Sequence, residues 1–163
     1  MKNQRMLDEL TELMRIDVSS GQETEIAEHL VKKLEQMGFA ITRDEAGATF
    51  GGVCGNILAV REGERDGVVC FCSHMDRVPG GIGIKPVEED GILRSSGDTI
   101  LAADDLSGVA AILEGVRQAI ESGKALPKLE ILFTVGEEAG LYGAKAFDVS
   151  LLTSKTMYVL DSP

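Results

Sequence analysis

The chain has 163 residues, which suits a single domain, and it carries a net charge of −11 at pH 7. Hydrophobic residues make up 44% and charged residues 26%, a balance typical of a soluble globular protein. So acidic a surface repels nucleic-acid phosphates, and no apolar run approaches the roughly 20 residues of a membrane-spanning helix. We therefore expect no nucleic-acid partner and no membrane insertion.

Two amphipathic helices open the chain. Apolar residues at helical spacing predict the first helix over about residues 4–16 and the second over about residues 24–37, where Gly38 ends it. Short strands are predicted within residues 39–45 and 56–63, which follow the second helix. The first third of the chain thus predicts two helices followed by two strands.

Three later segments are apolar throughout and bounded by turn residues, which predicts strands buried on both faces of a sheet. They lie within residues 67–74, 129–135 and 156–161. Asp90-Gly91 predicts a hairpin turn, and a long helix is predicted over residues 106–122. Because helices alternate with apolar strands, the sequence predicts an α/β layered fold.

One histidine and several acidic residues follow these strands or precede the long helix. They are His74, Asp76, Asp104, Asp105, Glu137, Glu138 and Asp161. The carboxyl ends of parallel strands form the ligand crevice of an open α/β sheet, so we expect these side chains to gather at one edge.

Such a cluster needs a counter-charge, because carboxylates in a partly dry crevice repel one another and lose hydration. One or two divalent metal ions would supply it. A histidine with carboxylates suits Zn²⁺, and also Mn²⁺ or Co²⁺. His74 would bind metal through one ring nitrogen, while Asp76 would hold the other ring N–H and fix the orientation of the imidazole.

Each motif also has a simpler interpretation. Asp104 and Asp105 are suitable caps for the helix that follows them. Glu137 and Glu138 suit the first turn of a short helix, where the helix dipole favours acids, and Asp161 suits a loop. The joint occurrence of acidic residues at several strand ends favours the metal cluster over these separate interpretations.

The three cysteines, Cys54, Cys70 and Cys72, lack the spacing of a disulfide framework. Together with an N-terminal segment that carries acids through its apolar stretch and so is not a signal peptide, they favour a cytoplasmic location. Cys70 and Cys72 share strand parity with His74, which raises the alternative of a thiolate metal site. Their place inside an apolar run instead predicts small core residues.

Four segments, taken together, resemble a known family. "SHMDRVP", "LAADDLSGVAAILE", "FTVGEEAGLYGAKAF" and "YVLDS" are similar, in order and spacing, to the dinuclear zinc exopeptidases of the peptidase T (tripeptide aminopeptidase) type. Aminoacylases and glutamate carboxypeptidases share the pattern. The resemblance implies a mixed, mostly parallel sheet flanked by helices, and hydrolysis of peptide bonds in short peptides.

The resemblance also implies a role for each site residue. Glu137 is implied as the general base, and Asp76 as the residue that orients a metal-binding histidine. Two Zn²⁺ ions are implied, with Asp104 bridging them and a cis peptide bond after it. The implied metal ligands are His74, Asp104, Glu138 and Asp161.

Family members are longer than this chain. The resemblance implies that residues 1–163 form the N-terminal portion of a catalytic domain, without an inserted lid and dimerisation domain and without the C-terminal return segment that supplies another metal-binding histidine. We therefore expect this chain alone to be inactive and to associate as a homo-oligomer. The alternatives are a non-catalytic metal-binding or assembly module, or a deacylase or carboxypeptidase of the same group.

Overall fold

A computed structural model describes residues 4–161 as helices packed on a mixed sheet. The strands are β1 (Ala40–Arg43), β2 (Ile57–Arg61), β3 (Val68–His74), β4 (Pro86–Glu89), β5 (Ile92–Ser95), β6 (Lys128–Thr134) and β7 (Met157–Val159). The α-helices are α1 (Gln4–Met14), α2 (Thr24–Gln36), α3 (Ala103–Glu121) and α4 (Tyr142–Ala146). Two 3₁₀ turns lie at Ala46–Thr49 and Val149–Leu151.

The main sheet has the strand order β1-β2-β6-β3-β7. Strand β3 is parallel to both β6 and β7, whereas β2 is antiparallel to β6 and to β1. The parallel pairings therefore occupy one side of the sheet and the antiparallel pairings the other. The predicted fold class, an α/β mixed sheet flanked by helices, is confirmed.

Most of the buried apolar residues lie between one face of this sheet and the helices α1, α2 and α3. Successive side chains of a strand point to opposite faces, so Ile131 and Phe133 of β6 join this core while Leu132 between them joins a second, smaller cluster with Phe147. Strands β3 and β6 thus contact two separate apolar layers. The third strand predicted to be buried on both faces, β7, lies at the edge of the sheet with Tyr158 and Val159 exposed, so that prediction is wrong.

Local boundaries differ slightly from the sequence predictions. Helix α1 ends at Met14 rather than near residue 16. The predicted hairpin is present as β4 and β5, and its turn residues Asp90 and Gly91 have φ values of 53° and 75°. Two successive positive φ angles match the right-handed twist of the flanking strands, which explains the Asp-Gly pair. Among residues 4–161, no helix has the length and apolar character needed to span a bilayer.

Candidate active site

The predicted site residues converge at one edge of the sheet. Strands β3, β6 and β7 run in the same direction, so their carboxyl ends meet there. His74 is the last residue of β3, and Glu137 follows β6 after a short turn. Cys72 pairs with Val159, and the same register continued by two residues brings Asp161 level with His74.

His74 lies at the centre of this group and is only 2% exposed. Its Nε2 is 3.3 Å from Asp104 Oδ1 and 4.0 Å from both Glu137 Oε2 and Asp161 Oδ2. His74, Asp104 and Glu138 each offer one ligand atom, and these three atoms lie within 4.8 Å of one another. The structure therefore brings together all four predicted metal ligands and the predicted base.

Asp76 contacts both the histidine and the acidic turn. His74 Nδ1 is 3.0 Å from the main-chain oxygen of Asp76 and 3.5 Å from its carboxylate, so the carbonyl is the nearer acceptor. The carboxylate itself accepts hydrogen bonds from the main-chain N–H groups of Glu137 and Glu138 and from the Ser20 hydroxyl. This second task, holding the turn after β6, was not foreseen in the sequence.

The two adjacent aspartates at the start of α3, where the backbone is not yet helical, have different surroundings. Asp104 is 67% exposed and points toward His74 Nε2. Asp105 is buried, and its carboxylate accepts hydrogen bonds from the Gly108 N–H and the Ser73 hydroxyl. The helix-cap interpretation thus holds for Asp105, and Asp104 is free to join the cluster. The peptide bond between them is cis, as the resemblance implied.

Glu137 and Glu138 do not lie on a helix. They occupy the turn after β6, while α4 begins at Tyr142, so the first-turn interpretation of these two acids is wrong. Gly136 opens the turn with a φ of 59°, and a Cβ there would lie 2.5 Å from the Phe50 ring. Glycine at this position lets the chain bend sharply and direct both carboxylates toward His74.

The charges of the cluster are unbalanced without a cation. Within residues 4–161, no Lys or Arg side chain forms an ion pair with Asp104, Glu137, Glu138 or Asp161. Burial raises the pKa values of Glu137 and Glu138, and neighbouring carboxylates add to the effect. These acids therefore resist ionisation together, which is the electrostatic condition that a divalent metal relieves.

The surroundings favour the charged form of His74, whereas they disfavour the charged forms of Glu137 and Glu138. Burial lowers the pKa of the His74 imidazole, but the carboxylates of Asp76 and Glu137 outweigh burial and raise it to about 9. In the metal-free chain the imidazolium is therefore a counter-charge within the cluster. An imidazole surrounded by carboxylate oxygens is the donor set that Zn²⁺ accepts, so the residues present fit this ion.

A second group, Glu9, Glu12 and His29, also places possible ligand atoms close together. Here cations are already present: Lys33 Nζ is 2.7 Å from Glu9 and 2.8 Å from Glu12, and Arg117 contacts the other oxygen of Glu9. The side chain of His29 is 22% exposed, and its Nε2 lies 3.8 Å from Glu12 Oε1. This group is an ion-pair network between helices.

The thiolate alternative finds little support in the structure. Cys70 and Cys72 are both buried, and burial raises their pKa values to about 11 and about 12. A protonated thiol is a poor metal ligand, because the thiolate is the form that binds. The two residues therefore suit the predicted role of small core residues.

The sequence model of peptidase family M28 matches residues 56–162, which include every residue of the cluster. The uncharacterized protein YqjE of Bacillus subtilis is 38% identical over 163 residues, a match covering 99% of this chain and 44% of that protein.

Two crystal structures are similar over nearly the whole chain. The aminopeptidase PepT from Bacillus cereus superimposes with a TM-score of 0.94 at 40% identity, covering 98% of this chain and 43% of that one. A tripeptidase from Staphylococcus aureus gives a TM-score of 0.92 at 34% identity, with the same coverage of 98% and 43%. The chain thus spans less than half the length of these relatives. The resemblance to peptidase T-type exopeptidases is confirmed.

Proposed function

The chain belongs to peptidase family M28, and from that membership we propose that it forms the metal-binding part of an exopeptidase that removes N-terminal residues from short peptides. Two relatives with 40% and 34% identity are an aminopeptidase and a tripeptidase, respectively, which supports this substrate class. In this proposal, residues 1–163 are the N-terminal portion of the catalytic domain, and further chain supplies the rest of the active site.

One observation carries the proposal. His74, nearly fully buried, faces Asp104, Glu137 and Asp161 within 4.0 Å at the carboxyl edge of parallel strands. Placing a histidine and several carboxylates together costs desolvation and repulsion, and the fold holds them there nonetheless. Perturbed ionisable groups clustered in a crevice are typical of functional sites.

The proposed metal ligands are His74, Asp104, Glu138 and Asp161. Asp104 offers a carboxylate oxygen within 4.8 Å of a ligand atom of His74 and of one of Glu138, which would suit a carboxylate shared by two ions. Zn²⁺ is the proposed ion, with Mn²⁺ or Co²⁺ as substitutes. When bound, such ions acidify a water molecule and polarise the scissile carbonyl.

Glu137 is the proposed general base. Its carboxylate lies beside His74 and is 27% exposed, so a water molecule can reach it. Burial raises the pKa of this carboxyl group, which brings its basicity closer to that needed to take a proton from water near neutral pH. The carboxylate accepts that proton and then delivers it to the leaving amine, while the main-chain contact with Asp76 keeps Glu137 in place.

The test uses the longest natural polypeptide that contains residues 1–163. We expect it to release the N-terminal residue from tripeptides, to lose this activity with a chelator, and to regain it with Zn²⁺, Mn²⁺ or Co²⁺. Tripeptides with an acetylated amino terminus are the matched control, and we expect them to resist cleavage. Cleavage of acetylated peptides would instead favour a carboxypeptidase or deacylase, and hydrolysis that is insensitive to chelation would contradict the metal role.

A further inference from the structure

Glu23, in the segment between α1 and α2, is a buried carboxylate that the proposed mechanism does not use. It is 0% exposed. Its Oε1 accepts hydrogen bonds from the main-chain N–H groups of Gly21, at 2.9 Å, and Gly136, at 3.0 Å. Its Oε2 is also buried and has no hydrogen-bond partner among the described residues.

The contact with Gly136 completes a pattern along the turn that carries the acidic pair. Three successive N–H groups, those of residues 136, 137 and 138, each donate to a buried carboxylate. Glu23 accepts the first, and Asp76 accepts the other two. The segment that carries Glu23 also contacts Asp76, because the Ser20 hydroxyl donates a hydrogen bond to the Asp76 carboxylate at 2.5 Å.

A buried carboxylate at this position costs free energy, because its charge is removed from water. Burial raises the pKa of Glu23, and the nearby charge of Asp76 raises it further. A buried charge without a cation is costly, so such residues are rare unless their hydrogen bonds serve a purpose. Here one of the two hydrogen bonds comes from Gly136, the residue next to Glu137.

We propose that Glu23 is a positioning residue for the candidate site, in which its carboxylate holds the Gly136 N–H and thereby fixes the direction of Glu137 and Glu138. The inference rests on the proposed function, since it assigns Glu23 to the same metal cluster. Replacement of a residue that orients metal ligands without binding the metal itself typically changes metal affinity by 10–100-fold. Glu23 would act through the backbone of the turn.

The experiment uses the longest natural polypeptide that contains residues 1–163, with Co²⁺ as the probe, because the visible absorption of Co²⁺ reports both affinity and ligand geometry. Glu23→Met keeps the length of the side chain and removes both acceptors, and we expect Co²⁺ affinity to fall by about 10–100-fold with an altered spectrum. Glu23→Gln keeps one oxygen for both N–H groups, and we expect it to restore the wild-type affinity and spectrum. Far-UV circular dichroism on the same samples checks that each variant is folded.

A second variant tests the same contact without removing the charge of the side chain. Glu23→Asp keeps the charge but is one methylene shorter, so it withdraws from Gly136, and we expect it to weaken Co²⁺ binding as well. Glu130→Met is the matched control, because Glu130 is equally buried and accepts the N–H groups of Thr153 and Ser154 at the opposite end of the strands. We expect Glu130→Met to bind Co²⁺ as the wild type does.

The possible results distinguish the positioning role of Glu23 from metal binding by the cluster. Wild-type affinity and spectrum in folded Glu23→Met or Glu23→Asp would overturn the positioning role while leaving the metal site intact. Equal weakening by Glu130→Met would also overturn it, because the effect would then follow from lost stability alone. A wild-type chain that binds no Co²⁺ would overturn the proposed function itself, and the inference with it.

Discussion

The carboxylate of Asp76 holds the main chain of Glu137, with Oδ1 at 2.9 Å from the Glu137 nitrogen. Its other oxygen accepts the N–H of Glu138 and the hydroxyl of Ser20. Burial raises the pKa of Asp76, but the nearby His74 imidazole and the hydrogen bonds from Ser20 and Glu137 outweigh burial and lower it. One ionised side chain therefore links the histidine, the proposed base and a proposed metal ligand.

Replacement of Asp76 by asparagine tests this link. The amide group leaves one N–H of the turn facing another N–H group, and an unsatisfied buried donor costs about 1–3 kcal/mol in the free energy of unfolding. We also expect metal affinity to fall by about 10–100-fold, because the turn loses its orientation. Urea unfolding and metal titration on one preparation measure both effects. Asp44→Asn is the control, since Asp44 also accepts main-chain N–H groups but has no contact with the cluster. Unchanged metal binding by Asp76→Asn would show that the link is not needed.

Replacement of Glu137 by glutamine separates chemistry from metal binding. The amide keeps the size of the side chain and loses its basicity, so we expect peptide hydrolysis to fall by roughly 10²–10⁴-fold while the bound metal is retained. Metal analysis and peptide turnover are measured on the same sample of the longest natural polypeptide containing residues 1–163. Turnover near the wild-type rate would remove Glu137 from the role of base.

The sequence was sufficient to predict which side chains meet at the strand ends, because the carboxyl ends of parallel strands lie at the same edge of a sheet. His74, Glu137 and Asp161 each follow such a strand, so their meeting required only the fold class. The last residue of the "YVLDS" motif, Ser162, lies outside the described residues. Asp104 was harder to place, because nothing in the sequence separates it from Asp105, which proved to be the helix cap.

The supporting residues Ser20 and Glu23 could not be predicted in the same way. Both lie in a segment that the sequence identifies only as a break between two helices. Their partners, Asp76 and Gly136, are 56 and 113 residues away along the chain. Local patterns carry no information on such contacts, because the packing of α1 and α2 against the sheet determines them.

Thiol reactivity tests the interpretation of the cysteines. Burial raises the pKa values of Cys54 and Cys70 to about 11 and that of Cys72 to about 12. The thiolate fraction at pH 8 is then at least about 100-fold below that of an unperturbed cysteine with a pKa of about 8.5. We expect iodoacetamide to label the native chain slowly and the urea-unfolded chain rapidly. Fast native labelling that Zn²⁺ suppresses would instead indicate a thiolate metal site.

Association of the chain is expected from its exposed apolar edge. Strand β7 pairs with β3 on one side, and within residues 4–161 no strand pairs with its other side. Val159 on this strand is 59% exposed. Open strand edges with apolar side chains invite pairing with another copy, and a lysine there discourages it. Light scattering should show a dimer or larger assembly, and Val159→Lys should dissociate it. The control is Val53→Lys, at a site 57% exposed, which should leave the assembly intact. A strictly monomeric wild-type chain would contradict this expectation.

Zinc titration of residues 1–163 by calorimetry, with His74→Ala and His29→Ala alongside, tests whether the metal site lies at His74. His74, Asp104 and Asp161 supply enough ligands for one zinc position with water in the fourth place, whereas Glu138 and a share of Asp104 should hold a second ion weakly. We predict one tight zinc per wild-type chain, its loss in His74→Ala, its retention in His29→Ala, and no peptide hydrolysis by the chain alone. Tight zinc binding that survives in His74→Ala, or that disappears in His29→Ala, would show that the metal site does not lie at His74.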